Sequence, residues 1–164
     1  MHELTMTISE FLVRAKKETY ARGSDEAGTL LPDGAIELSY VEKEMRYRDR
    51  YYGWDPFAGE EVVTTDGKVI WLMNYYGRCL PDGVTPSQVY NFLVKALAEV
   101  TEEAPYRGPE EYEKDGFKYT CCINGGLESF RGAEKILYNG KDVYWLVFHG
   151  GEVAEKPVQS TLNI

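Results

Sequence analysis

Residues 57–77, FAGEEVVTTDGKVIWLMNYYG, lie over residues 130–150, FRGAEKILYNGKDVYWLVFHG, without a gap. Phe57, Gly59, Glu61, Gly67, Lys68 and Gly77 meet Phe130, Gly132, Glu134, Gly140, Lys141 and Gly150. Asp66 meets Asn139, Trp71 meets Tyr144, and Tyr75 meets Phe148. Two hairpins with a shared need for a Gly turn explain Asp-Gly and Asn-Gly, but not the Phe-x-Gly-x-Glu that precedes both. The helical segments Phe11-Leu12-Val13-Arg14-Ala15 and Phe92-Leu93-Val94-Lys95-Ala96 recur in the same order. Ordered self-similarity marks repeated units.

The local signals define one such unit. Thr7 with Glu10, and Thr85 with Gln88 after Pro86, are capping boxes that open helices. In the first helix Ile8, Phe11, Leu12, Ala15 and Thr19 form the apolar stripe, with Arg14, Lys16 and Lys17 assigned to the wet side. Alternating segments follow, and Asp66-Gly67 and Asn139-Gly140 predict type I′ turns because both central residues need positive φ. The expected fold class is α+β. Two helix-plus-antiparallel-strand units, residues about 5–78 and 84–151, form one pseudo-twofold domain over residues 1–164, with two main helices and a polar tail at 152–164. Each unit alone is too small to bury a good core, so the two are expected to pack together as one sheet or as two facing ones.

Two-residue turns also predict register. Thr65 opposes Lys68, Val63 opposes Ile70, and Glu61 opposes Leu72, and opposed residues share a face. Glu61 is then expected beside Asn74 and Tyr76, and Glu134 beside Trp145, Val147 and His149. A bulge at Gly59 or Gly132 would reverse the assignment. A carboxylate on an apolar face is costly to bury without a partner. Glu61 and Glu134 therefore either form structural ion pairs or line a cavity. The candidate ligand-binding residues are Glu61, Asn74, Tyr76, Glu134, Trp145 and His149. Acidic and aromatic walls suit a cationic or amphipathic small molecule.

Charge and composition weigh against other classes. The chain carries 27 acidic and 18 basic residues, a net −9, which opposes sequence-independent binding to phosphate backbones, so no direct nucleic-acid partner is expected. No apolar run reaches the ~20 residues of a membrane span, and the N-terminus lacks the features of a secretion signal, so a cytoplasmic protein without a membrane partner is expected. Cys79, Cys121 and Cys122 have no metal-ligand spacing, and His2 and His149 are the only histidines, so neither a metal nor a cofactor is expected. No nucleophile, phosphate loop or catalytic set stands out, and no catalytic residue is assigned.

YYGWDPFAGEE, DGKVIWLMNYYGR, PYRGPEEY, FRGAEKILYNGK and FHGG together resemble a prokaryotic family catalogued as domain of unknown function 5680. The resemblance runs from the FLVRAKKETYA helix to FHGG. Some members of that family carry a helix-turn-helix segment ahead of the domain. The chain is read as having no room for one before Thr7, so DNA binding does not carry over. The association with regulators implies a domain that senses a ligand or a partner.

The function expected is that of a non-catalytic module that binds or senses a small molecule. One alternative is a small carboxylate-dependent enzyme with Glu61 or Glu134 as base and Tyr76 or His149 as acid. The other is a structural or interaction protein, a homodimer.

Overall fold

The computed structural model describes residues 6–20, 28–80 and 82–156. In chain order the elements are α1 (Ile8–Glu18), β1 (Thr29–Leu30), β2 (Ile36–Glu42), β3 (Met45–Gly53), β4 (Phe57–Thr65) and β5 (Lys68–Cys79). Then come α2 (Pro86–Leu97), β6 (Glu111–Lys114), β7 (Phe117–Gly126), β8 (Ser129–Tyr138) and β9 (Lys141–Glu152). Both capping boxes are formed, by Thr7 with Glu10 and by Thr85 with Gln88.

Among the described residues nine strands make one sheet in the order β1-β2-β3-β4-β5-β9-β8-β7-β6, and every neighbouring pair is antiparallel. This corrects the expected class. The fold is mostly β, a single antiparallel sheet carrying two helices, and not a duplicated α+β fold of helix-plus-strand units. The reason lies in the seam. β5 and β9 pair from Trp71↔Glu152 to Cys79↔Tyr144, so the meanders β2–β5 and β6–β9 continue one another with no edge between them. The polar tail expected from residue 152 begins at the end of β9, and residues 157–164 lie outside the described part.

α1 lies over β2 and β3, and α2 over β7. Phe11, Leu12 and Ala15 of α1, and Val89, Phe92, Leu93, Ala96 and Leu97 of α2, face the sheet and are buried. They meet Tyr47, Val63, Trp71, Met73, Tyr119, Ile136, Tyr144, Leu146 and Phe148 in one core. Burying each large side chain contributes about 1.5–3 kcal/mol. Trp71 of β5 stacks on Phe130 of β8 at 5.6 Å across the seam.

Both hairpin turns are as expected, with positive φ at Asp66 and Gly67 and at Asn139 and Gly140. The register beyond them is not. Thr64 pairs with Val69 but Val63 pairs with Trp71, which leaves Ile70 as an extra residue. Leu137 pairs with Asp142 but Ile136 pairs with Tyr144, which leaves Val143 extra. The carbonyls of these two residues accept from the residues that follow the neighbouring strand: Val153 N donates to Ile70 O at 3.0 Å, and Leu80 N to Val143 O at 2.8 Å. Each bulge bonds its carbonyl across the seam. A bulge reverses the face of every residue beyond it.

The repeated Phe-x-Gly is explained by space. Gly59 pairs with Tyr75 and Gly132 with Phe148. A Cβ at Gly59 would come within 2.7 Å of the Arg50 carbonyl and closer still to the Tyr75 ring. At Gly132 it would come within 2.8 Å of the Cys122 carbonyl and closer still to the Phe148 ring. Each glycine leaves room for an aromatic ring to lie across its backbone.

Candidate functional site

The bulges turn Glu61 and Glu134 toward the helices. Glu61 pairs with Met73 and Glu134 with Leu146, both core residues, and both carboxylates are fully buried. Asn74, Tyr76, Trp145 and His149 project from the opposite face of the sheet, where Tyr76 is 42% exposed. The six expected site residues thus divide between two faces, two beneath the helices and four on the uncovered side.

Beneath the helices the two glutamates meet different cations. Lys16 of α1 is fully buried; its Nζ pairs with Glu61 Oε2 and donates to the Tyr106 carbonyl at 2.8 Å. Arg107, on the loop between α2 and β6, donates to both oxygens of Glu134, from Nε at 3.1 Å and Nη2 at 2.7 Å. Tyr119 and Tyr144 add O–H donors to Glu134 at 2.7 and 2.9 Å, so all of its strong partners are in place. Glu61 is less complete: its Oε1 and the nearby Tyr20, Tyr47 and Trp71 polar atoms are buried without a hydrogen-bond partner in the described structure.

A third carboxylate breaks the balance. Asp49 of β3 is buried at 4% exposure, and its hydrogen bond is from the Tyr75 hydroxyl, at 2.6 Å. Among the described residues, the buried charged groups are Lys16 and Arg107 against Asp49, Glu61 and Glu134. Among these described groups two cations face three carboxylates, and Asp49 is the one with no ion pair among the described residues. Burial, then repulsion from Glu61, pushes its carboxyl up to about 7; the Tyr75 hydrogen bond and the Lys16 and Arg107 charges only partly oppose this. Burial also draws Lys16 down from the ordinary lysine range, with Glu61 opposing. The Tyr20, Tyr47, Tyr75, Tyr119 and Tyr144 hydroxyls are held protonated by the same desolvation.

Asp49 opens onto a pocket of about 250 Å³ between α2 and the sheet. Its polar floor includes Asp49, Tyr75, Tyr20 and Arg107; Leu38, Phe57, Leu93 and Leu97 are among its apolar walls. Arg107 lies 5.5 Å from the Tyr75 ring centroid and 5.8 Å from that of Tyr20, so the guanidinium is held by aromatic faces as well as by Glu134. Nearby, Asp55 accepts from Cys79 N at 2.7 Å and from the Tyr90 hydroxyl at 3.0 Å, which ties the WDPF corner to β5 and α2 at the pocket wall.

A family model described as a domain of unknown function, DUF5680, matches residues 49–153. The chain belongs to the DUF5680 family. The matched stretch opens at Asp49 and contains Glu61, Tyr75, Arg107 and Glu134, while Lys16 comes from α1, ahead of it. No curated protein and no solved structure gives a significant match to this DUF5680 chain.

Asp49 and Arg107 are not among the residues expected from the sequence, and Lys16, expected on the wet side of its helix, is buried. The signals were present. Lys16 follows Leu12 by four positions and Ala15 by one, inside the apolar stripe, and an acid alternating with Met45, Tyr47 and Tyr51 sits on a core-facing series. Among the described residues no group of three His, Cys, Asp or Glu is placed to hold a metal. Burial pushes the Cys79 and Cys121 thiols up to about 11 and about 12, away from thiolate chemistry. Among the described residues no helix is long and apolar enough to cross a membrane.

The Asp49 shift predicts a pH dependence. A folded-state value of about 7, above the ordinary 3.8, means that the native protein holds this proton more tightly than the unfolded chain. Stability is then greatest at the acidic end of that window and is lost as pH rises through it. The urea unfolding free energy is expected to be larger at about pH 5 than at about pH 8, and Asp49→Asn is expected to flatten that difference. An unchanged slope in Asp49→Asn would assign the effect to other groups.

Proposed function

We propose that this DUF5680 domain binds a small amphipathic molecule that carries an amine or another cation, with the charge against Asp49 and the apolar body against Leu38, Phe57 and Leu93. The observation that carries the reading is the surplus, among the described residues, of one buried carboxylate at the edge of a pocket, held by a tyrosine hydroxyl and by no described cation. A bound cation would complete the charge balance and replace the proton that Asp49 otherwise takes up. Tyr75, Tyr20 and Phe57 give such a cation aromatic neighbours. The small volume, about 250 Å³, favours compact aryl-alkyl or alicyclic amines over nucleotides or cofactors.

The test is a thermal-shift and calorimetric screen of phenethylamine, cyclohexylamine and their quaternary analogues against the wild type and Asp49→Asn. The expected result is stabilisation by at least one amine that strengthens from about pH 6 to about pH 8, as Asp49 ionises, and that vanishes in Asp49→Asn. No stabilising amine, or equal stabilisation of the variant, would overturn the reading.

A second reading is proton transfer. A carboxyl held at about 7 beside a pocket has the acid strength of a general acid or base at neutral pH. In that reading Asp49 takes the role that the sequence suggested for Glu61 or Glu134, both of which are engaged by cations. Turnover of a bound compound, lost in Asp49→Asn with binding retained, would favour it over simple binding.

A further inference from the structure

The uncovered face of the sheet carries a charge pattern opposite to that of the whole chain. Across β5, β9 and β8 the outward positions run in ladders: Arg78–Trp145–Lys135, then Tyr76–Val147–Ala133, then Asn74–His149–Arg131. No carboxylate occupies any of these positions, although the chain has 27 acidic residues. Arg78, Arg131 and Lys135 form no ion pair among the described residues. Trp145 has a cation directly across from it on either side, and neighbouring strands lie only about 4.8 Å apart. The Trp145 and Tyr76 rings are 5.8 Å apart and tilted by 40°. Tyr76 and Val147 are 42% and 50% exposed.

Beside this patch the same face dips into a groove of about 330 Å³ lined by Arg46, Arg48, Val62 and Leu72. Arg48 Nε is a buried donor there with no acceptor in the described structure. The carboxylates that reach this side are Glu37 and Glu60, paired with Arg50 and Arg48, Glu111 and Glu113, both paired with Lys118, and Asp142 opposite Leu137.

We propose that this face binds single-stranded nucleic acid. Exposed aromatic rings on a sheet give bases a stacking platform, and unpaired cations interleaved with them meet the phosphates. A duplex keeps its bases stacked inside and cannot use the rings. The net −9 of the chain does not decide the matter, because charges beyond a Debye length of about 8 Å are largely screened at physiological salt. The site is on the opposite side of the sheet from Asp49 and is independent of the pocket.

The test is fluorescence anisotropy with the full chain at about 50 mM salt, using a labelled mixed-sequence RNA and DNA of about 12 nucleotides, the RNA duplex, and a polyglutamate peptide of similar length. The single strands are expected to bind, with a salt slope near −2 for three phosphate contacts at about −0.7 each. Tyr76→Ala and Trp145→Ala are each expected to weaken binding about tenfold, and Arg131→Glu/Lys135→Glu to abolish it at the same salt. The charge-reversal pair lies on the surface and keeps the test valid if an aromatic variant unfolds. Three results would overturn the proposal: no binding of single strands, equal binding of the duplex or of polyglutamate, or single-strand binding that survives the charge reversal. Light scattering that shows self-association relieved by the same variants would assign the face to a second copy of the chain instead.

Discussion

Arg107→Met is expected to lower the unfolding free energy by about 3–5 kcal/mol, the usual cost of leaving one member of a buried ion pair behind. Glu134 is fully buried, and among the described residues Arg107 supplies its only opposite charge along with two of its four side-chain hydrogen bonds. Tyr119 and Tyr144 cannot replace that charge. Removing both members does not restore the protein in this case. In Arg107→Met/Glu134→Leu the Tyr119 and Tyr144 hydroxyls lose their common acceptor inside the core, and each buried orphan costs about 1–3 kcal/mol. Urea unfolding at neutral pH of the wild type, the single variant and the double variant measures this. A single variant within about 1 kcal/mol of the wild type would show that Glu134 is solvated in a way its full burial contradicts.

The hairpins were legible because their determinants are local. Asp66-Gly67 and Asn139-Gly140 name the turn type, and the two Thr capping boxes name the helix starts. What reversed the faces was not local. Ile70 and Val143 bulge where their carbonyls accept from Val153 and Leu80, residues that arrive from the other meander. A reading of either hairpin alone extends the ladder straight through and puts Glu61 and Glu134 with Tyr76 and His149. The same nonlocality misled the fold class. Two capped helices and several strands read as helix-plus-strand units, but the β5/β9 pairing that merges all nine strands into one sheet is set by register across the chain.

The site was legible only in part for a related reason. That Glu61 and Glu134 need partners follows from burial, and the sequence already allowed ion pairs as the answer. The partners were hidden because Arg107 sits in a loop without periodicity, and because Lys16 was assigned to water on the strength of its charge. Asp49 became visible only once both pairs were drawn and one carboxylate remained.

Lys16→Met is expected to cost about 3–5 kcal/mol by itself, for it leaves Glu61 charged in a fully buried position. Here, in contrast to the Arg107 pair, removing both members should recover most of the loss. Among the described residues Glu61 has one oxygen without a partner, and no tyrosine hydroxyl donates to it. Lys16→Met/Glu61→Leu therefore removes an incompletely bonded charge pair from the core, and such replacements are commonly neutral or stabilising. One donor is still missed, since the Tyr106 carbonyl loses Lys16 Nζ, at a cost of about 1–3 kcal/mol. The double variant is expected within about 2 kcal/mol of the wild type, clearly above the single one. Among the described residues the charge tally in the core then reads one cation, Arg107, against Asp49 and Glu134, so the surplus carboxylate at the pocket persists and amine binding should survive the double change. A double variant as unstable as Lys16→Met would mean that the Lys16–Glu61 pair holds α1 on the sheet by more than its balance of charge.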